Sequence, residues 1–196
     1  MTRLSIKLAV SIFLTLFAST AHAHADVDAT NGFVSGFLHP LLGLDHLAAM
    51  VAVGLWGAFL GKPAIWMLPV TFPLVMAFGG ALGILGVPVP AVETGIAGSA
   101  VILGVMIAFA IKPPIMLAAV IVAAFAIFHG HAHGTELPSA VSPITYSIGF
   151  VLSTGLLHLA GIAFGLLIRW PLGRVAVQAS GGVIALAGVG FLTGLV

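Results

Sequence analysis

Six long apolar stretches restrict the folds that this sequence can adopt. Their approximate limits are 41–60, 64–86, 91–111, 114–129, 144–168 and 173–195. A helix crosses a bilayer with about 20 apolar residues, whereas a barrel strand needs only about 9–11 and alternates in polarity. Only 6% of the residues are charged, too few to cover a surface that faces water. The sequence therefore predicts an all-α membrane protein with six transmembrane helices surrounded by lipid.

The first 23 residues have the pattern of a cleavable signal peptide. Arg3 and Lys7 precede the apolar segment LAVSIFLTLFA, and the small-residue motif AHA follows at 21–23. The apolar segment is short for a membrane span of about 20 residues. We therefore predict cleavage after Ala23 and a transmembrane domain over 24–196. The alternative is an uncleaved first transmembrane helix.

In the remaining chain, every lysine and arginine lies in an alternate connection between apolar stretches. Lys62 follows the first stretch, Lys112 the third, and Arg169 and Arg174 the fifth, whereas Glu136 follows the fourth. Cytoplasmic connections carry the excess of basic residues, so both ends of the domain are predicted to face outwards. The tryptophans fall near the predicted cytoplasmic ends, where their rings favour the lipid interface: Trp56, Trp66 and Trp170.

Several classes of function are disfavoured by what the sequence lacks. Without cysteine there is no disulfide framework, thiolate metal site or cysteine nucleophile. A formal net charge of +1, with no basic run, argues against nucleic acid as a partner. The sequence has no P-loop motif, so ATP is not expected to drive the protein directly, and it has no HExxH motif of a metalloenzyme.

Side chains that can bind a metal concentrate on the predicted outer side. His24, His39, Asp45 and His46 lie at or near the outer end of the first stretch; His129, His131, His133 and Glu136 lie at that of the fourth; Glu93 opens the third stretch and His158 lies within the fifth. Imidazole and carboxylate ligands without sulfur suit the divalent ions of Zn, Ni, Cu, Co and Fe. We therefore predict a metal site that faces the exported side.

The motif HPLLGLDH at 39–46 raises a geometric difficulty. On a continuous helix, His39 and His46 would stand about 10 Å apart along the axis, too far to bind one ion together. Pro40 and Gly43 favour a break or re-entrant turn, and irregular backbone is tolerated at membrane depth where it lines a cavity. We therefore expect a break in this motif.

The second histidine cluster depends on the local backbone. If the fourth helix continues, His129 and His133 form a chelating i, i+4 pair; in extended backbone, His129, His131 and His133 share one face.

Structural roles without a metal remain open for each of the candidate groups. His158 could make an interhelical hydrogen bond, 129–136 could be a solvated loop, Asp45–His46 could be a structural pair, and Glu93 could stabilise a helix dipole. His24 could chelate with its free α-amine only if the chain is cleaved after Ala23.

Three segments resemble the HupE/UreJ family of bacterial membrane proteins. They are HPLLGLDHLAAMVAVGLWG at 39–57, FHGHAHGTE at 128–136 and GFVLSTGLLHLAG at 149–161. The resemblance covers essentially the whole chain after the signal peptide, and it implies a nickel permease linked to hydrogenase or urease maturation. It assigns motif roles to His39, Asp45 and His46, to His129, His131, His133 and Glu136, and to His158.

We therefore expect a multi-pass permease of the bacterial inner membrane that imports a divalent metal, Ni²⁺ first and Co²⁺ as the alternative. No resident cofactor is expected beyond the transported ion. Two other classes remain open on the same histidines: a membrane-embedded metalloenzyme, and a haem-binding electron carrier. Haem would need paired histidines at matched depth on facing helices, and His158 is the only deep histidine in the sequence.

Overall fold

The structure, a computed structural model, describes residues 32–137 and 142–195. The helices are α1 (Gly32–Leu42), α2 (Leu44–Leu60), α3 (Ala64–Ile84), α4 (Val92–Ala108), α5 (Ile115–Thr135), α6 (Pro143–Gly165) and α7 (Pro171–Thr193), with a 3₁₀ turn at Leu166–Arg169. The described residues contain no strand, which confirms the predicted all-α class. The predicted signal peptide and His24 lie outside the described residues.

Four helices in the described part are long and apolar enough to cross a membrane: α3, α5, α6 with its 3₁₀ turn, and α7. The bent pair α1–α2 passes the same test as one unit, which gives five. Helix α4 is apolar but shorter, with 17 residues. Many large apolar side chains on the outside of the bundle are exposed, such as Leu74, Phe78 and Leu172. This apolar exterior is typical of a protein surrounded by lipid.

Prolines and glycines set several helix ends. Helices α6 and α7 begin at Pro143 and Pro171, positions where the missing proline N–H leaves no intrahelical bond unmade. Gly61, directly after α2, has a φ of 80° and Gly86, after α3, has a φ of 70°. A residue with a β-carbon rarely adopts either value, so glycine ends these two helices at little cost.

The expected break in HPLLGLDH is confirmed. Gly43 is extended, with φ −83° and ψ 106°, and α1 and α2 meet there at 80°. A β-carbon on Gly43 would lie 3.2 Å from Asp45 Oδ1 and 3.3 Å from His46 Nδ1. The absent side chain therefore makes room for the Asp45–His46 pair directly over the break.

Helix α2 forms the centre of the bundle and contacts α1, α3, α4, α6 and α7. Its largest buried side chain is Trp56, which is 0% exposed and donates a hydrogen bond from Nε1 to the Ile111 carbonyl at 3.4 Å. The prediction that Trp56 lies at the lipid interface is therefore wrong, whereas Trp66 and Trp170 are exposed. The positions of the tryptophans in the sequence could not distinguish a buried ring from one that faces lipid. A helix at the centre of a bundle also carries large apolar rings near its ends.

The two ends of the bundle differ in charge. At the C-terminal end of α2, the Nζ atom of Lys112 lies 5.0 Å from the centre of the Phe59 ring. Asp45 and His46 lie at the opposite, N-terminal end of α2. The connection that carries Lys112 is thus remote from the histidine motif, as the charge pattern predicted.

Glycines bring α3 and α5 into backbone contact. A β-carbon on Gly130 or Gly134 of α5 would strike the backbone of Met76 or Gly80 of α3. Close approach through small residues is a common way for helices to pack in a bilayer. It fixes the end of α5 that carries three of the histidines.

Candidate metal centre

Four histidines from three helices meet at one end of the bundle. The His133 ring centre lies 4.8 Å from that of His39 and 4.4 Å from that of His46, and the His46 ring centre lies 4.8 Å from that of His129. His39 and His46 are 6.3 Å apart by the same measure. The break at Gly43 therefore brings together two imidazoles that a continuous helix would hold about 10 Å apart.

The outermost part of this histidine cluster consists of His39, His133 and Glu136. One potential ligand atom from each lies within 4.8 Å of those of the other two. The Nε2 atom of His39 is 3.6 Å from Glu136 Oε2. The neighbouring His39 imidazole lowers the pKa of the Glu136 carboxyl, against the opposing effect of partial burial. Glu136 therefore stays ionised at neutral pH, and the three groups form a mixed nitrogen and oxygen donor set.

Asp45 holds one ring nitrogen of His46. The Nδ1 atom of His46 lies 2.8 Å from Asp45 Oδ1, which also accepts a hydrogen bond from the His46 backbone N–H at 2.8 Å. Because a carboxylate oxygen only accepts, Nδ1 carries the proton and Nε2 keeps its lone pair. The buried Nε2 has no hydrogen-bond partner in the described part of the chain. Asp45 thus orients His46 as outer-shell carboxylates orient metal-binding histidines.

Ser99 of α4 orients the His129 ring by a hydrogen bond, as Asp45 orients the His46 ring. Its hydroxyl donates to the Ile96 carbonyl at 2.6 Å, so its oxygen accepts from His129 Nε2–H at 3.1 Å. Nδ1 of His129 keeps the lone pair and, within the described residues, has no partner. Both side chains are completely buried. Sequence reasoning missed Ser99, although a lone serine within the apolar third stretch was a signal that could have been followed.

Burial increases steadily across the cluster. The side chains of Glu136 and His39 are 53% and 34% exposed, whereas His133 is 7% exposed and His129 is 0% exposed. Both ring nitrogens of His133 lack a hydrogen-bond partner among the described residues. A cavity of about 100 Å³ between α3, α5 and α6 reaches His133, which is room for several water molecules. The cluster therefore connects an accessible outer carboxylate to buried imidazoles.

The helical conformation of 115–135 decides between the two predicted arrangements of the second cluster. His129 and His133 are the i, i+4 pair of one helix face, whereas His131 points elsewhere and lies 2.8 Å, through Nε2, from the Val87 carbonyl. Glu93 is exposed at the start of α4, and no hydrogen bond or ion pair joins it to the described part of the cluster. Of the predicted site residues at this end of the bundle, His131 therefore makes a loop contact outside the cluster, and Glu93 stands apart from both.

His158 lies deeper in the bundle. It is 1% exposed, and its ring centre lies 5.4 Å from that of Phe72, which is in turn 5.4 Å from that of His129. Phe72 is a second residue that sequence reasoning did not single out, because one phenylalanine among thirteen carries no distinguishing pattern. It links the cluster to the deep histidine.

Known proteins resemble this chain over nearly its whole length. The family model described as "HupE / UreJ protein" matches residues 12–191. The curated "Protein HupE" of Rhizobium leguminosarum bv. viciae is 43% identical over 188 residues, which cover 96% of this chain and 98% of the relative. No solved structure matches significantly.

Proposed function

This chain belongs to the HupE/UreJ family, and we propose that it is a permease that imports a divalent transition metal across the bacterial inner membrane. Ni²⁺ is the first candidate and Co²⁺ the second, with hydrogenase or urease maturation as the use of the metal. The observation that carries the proposal is the cluster of His39, His46, His129 and His133 with Glu136. Several of its ring nitrogens have no hydrogen-bond partner in the described part of the chain, and they lie at one end of a largely uncharged bundle.

The donor set suits a transported ion. Neutral imidazoles and one carboxylate bind borderline divalent ions without the thiolates that would hold them tightly. A conducting site must bind strongly enough to select an ion and weakly enough to release it. The increase in burial from Glu136 to His129 would let a hydrated ion exchange its waters for ring nitrogens in steps.

Uptake of radiolabelled nickel in cells that lack other nickel importers tests this function. Expression of the wild-type chain should give uptake above background, reduced by excess Co²⁺ more than by excess Mg²⁺, because Mg²⁺ prefers oxygen ligands and keeps its waters. A wild-type protein that reaches the membrane and gives no uptake would rule out the permease.

Replacement of Ser99 by alanine should weaken Ni²⁺ binding about tenfold, the lower end of the effect of outer-shell partners. Without the hydroxyl, His129 loses the group that fixes its proton on Nε2. Ser99→Thr retains a hydroxyl and should restore most of the affinity. Equilibrium dialysis of the purified variants measures the change. Ser180→Ala is the matched control, because the one hydrogen bond of the Ser180 hydroxyl within the described residues goes to its own helix at Ala176. Equal affinities for Ser99→Ala and wild type would show that Ser99 does not position His129.

We also propose six membrane crossings with both ends outside, preceded by a signal peptide cleaved after Ala23. The alternation of basic connections supports this orientation. Alkaline phosphatase fused after Glu136 or after Gly194 should be active, and the same enzyme fused after Lys112 should be inactive. The reverse pattern would place the histidine cluster on the cytoplasmic side. The cluster could then not capture an ion for import.

A further inference from the structure

Besides His131, the cluster leaves one more buried histidine of the described chain unused: His158, in the middle of α6. It lies about 22 Å along the helix axis from the start of α6 at Pro143. Neither of its ring nitrogens has a hydrogen-bond partner among the described residues, although the residue is 1% exposed. Ionisable side chains at membrane depth are costly, and they generally mark ion paths or proton relays. A histidine at this depth whose ring nitrogens lack a well-formed hydrogen bond is therefore a candidate ligand for an ion.

The backbone of α3 supplies an oxygen at the same place. The carbonyl of Pro69 lies against the His158 ring at about the range of a hydrogen bond, although the angles leave both ring nitrogens without a well-formed one in the described chain. In an α-helix this carbonyl would accept from the N–H of residue 73. Residue 73 is also a proline and has no N–H, so that bond cannot form. Pro73 thus leaves the Pro69 carbonyl oxygen without its usual hydrogen-bond donor, next to the His158 ring.

Phe72 is the residue through which His158 meets the outer cluster, which consists of His39, His46, His129, His133 and Glu136. Its fully buried ring contacts both His129, at an interplanar angle of 59°, and His158, at 89°. In the described part of the chain no ring contact joins His129 to His158 directly, so the Phe72 ring is the contact between them. Gly54 of α2 lies against the carbonyl of His158, which fixes the backbone of α6 at this level.

We infer that His158 and the Pro69 carbonyl form a second, deeper binding site for a divalent transition-metal ion, reached from the outer cluster past the Phe72 ring. This inference rests on the proposed permease function and adds to it a relay at mid-depth. The outer cluster captures the ion, and the deep site receives it after the ring moves aside. The deep site has fewer ligands than the cluster, so it holds the ion more weakly and passes it on.

His158→Phe keeps a ring of similar size and removes both nitrogens. In purified protein, we expect this variant to bind one Ni²⁺ equivalent fewer at saturation and to retain the affinity of the outer cluster. In vesicles of phosphatidylcholine and phosphatidylglycerol, Ni²⁺ entry should fall at least about tenfold. Unchanged stoichiometry together with unchanged entry would overturn the relay. A parallel loss of outer-cluster affinity would also overturn it, because His158 would then only position that cluster.

Pro73→Ala tests the same site without altering α6. The new N–H at 73 occupies the Pro69 carbonyl, so Ni²⁺ entry should fall several-fold although the helix gains a hydrogen bond. Val70→Ala, at an exposed position of the same helix, is the control: residue 73 stays without an N–H, and entry should stay near the wild-type rate. Equal rates for these two variants would exclude the carbonyl from the site.

Wild-type protein that conducts no Ni²⁺ would defeat the permease function, and the binding stoichiometry of His158→Phe would then decide the deep site independently.

Discussion

Replacement of His133 by alanine should reduce nickel uptake to background, whereas replacement of His131 should leave it near the wild-type rate. His133 contacts two of the other three histidines of the cluster, with ring centres 4.8 Å from His39 and 4.4 Å from His46. Its loss removes a nitrogen from the outer donor set and separates that set from the buried histidines. Outer-shell partners of a metal are worth about 10–100-fold in affinity, and a shared ligand should cost more than the upper end of that range.

His131 is the matched control because it lies two residues away on the same helix and is equally buried. It points to the Val87 carbonyl instead of the cluster. Uptake of radiolabelled nickel is compared at equal amounts of protein in the membrane. Full uptake by His133→Ala would remove the cluster from the transport path. Loss of uptake by both variants at normal membrane levels would indicate that His131 also belongs to it.

Gly54→Ala should destabilise the bundle and abolish transport at the same time. A β-carbon at this position would strike the carbonyl oxygen of His158. A backbone atom cannot rotate away as a side chain can, so α2 and α6 have to separate. Overpacking of this kind typically costs about 1–3 kcal/mol. The separation also moves His158 and Thr154, whose hydroxyl contacts Met50 Sδ at 3.4 Å.

Gly155→Ala is the control for this prediction, since a β-carbon there meets nothing within 4 Å. Alanine in a helix interior is favoured over glycine by about 1 kcal/mol, so this variant should be as stable as wild type or slightly more stable. Thermal unfolding of the detergent-purified proteins, followed by tryptophan fluorescence, measures the stability of both variants. An unfolding temperature for Gly54→Ala that is no lower than that of Gly155→Ala would contradict the close packing of α2 on α6.

Local features of the sequence were sufficient to predict the break in HPLLGLDH and every described helix except α1, which lies almost wholly before the first predicted stretch at 41–60. Long apolar runs bounded by proline and glycine leave few alternatives to helices in lipid. Pro40 and Gly43 stand between the two histidines that need to approach. Both residues lie within the motif itself, and the structure places the break at Gly43.

Contacts between distant parts of the chain could not be predicted in this way. Ser99 and His129 are 30 residues apart, and Phe72 meets His158 across the bundle. Nothing in the neighbourhood of either residue in sequence reveals its partner. Likewise, the separate positions of His131 and His133 depend on whether 129–135 is helical, which the sequence left open.

The geometry suggests how one small bundle could both select and release an ion. Asp45 and Ser99 fix the protons of His46 and His129 on the nitrogens that they bond, so the lone pairs of the other two nitrogens are ready before an ion arrives. Preorganised ligands of this kind bind with little reorganisation. Beyond Glu136 the available donors are imidazoles, and the Asp45 carboxylate is already bonded to His46, so no second carboxylate holds the ion directly and it can move on.

Ni²⁺ entry into vesicles that contain only the purified protein tests the central claim most directly. A metal-sensitive dye trapped inside reports entry after Ni²⁺ is added outside, without ATP. Wild-type protein should raise the rate well above that of protein-free vesicles, and the double variant His46→Ala/His133→Ala should not. Entry by the double variant at the wild-type rate, or no entry by a wild-type protein that still binds Ni²⁺, would contradict a permease that works through this histidine cluster.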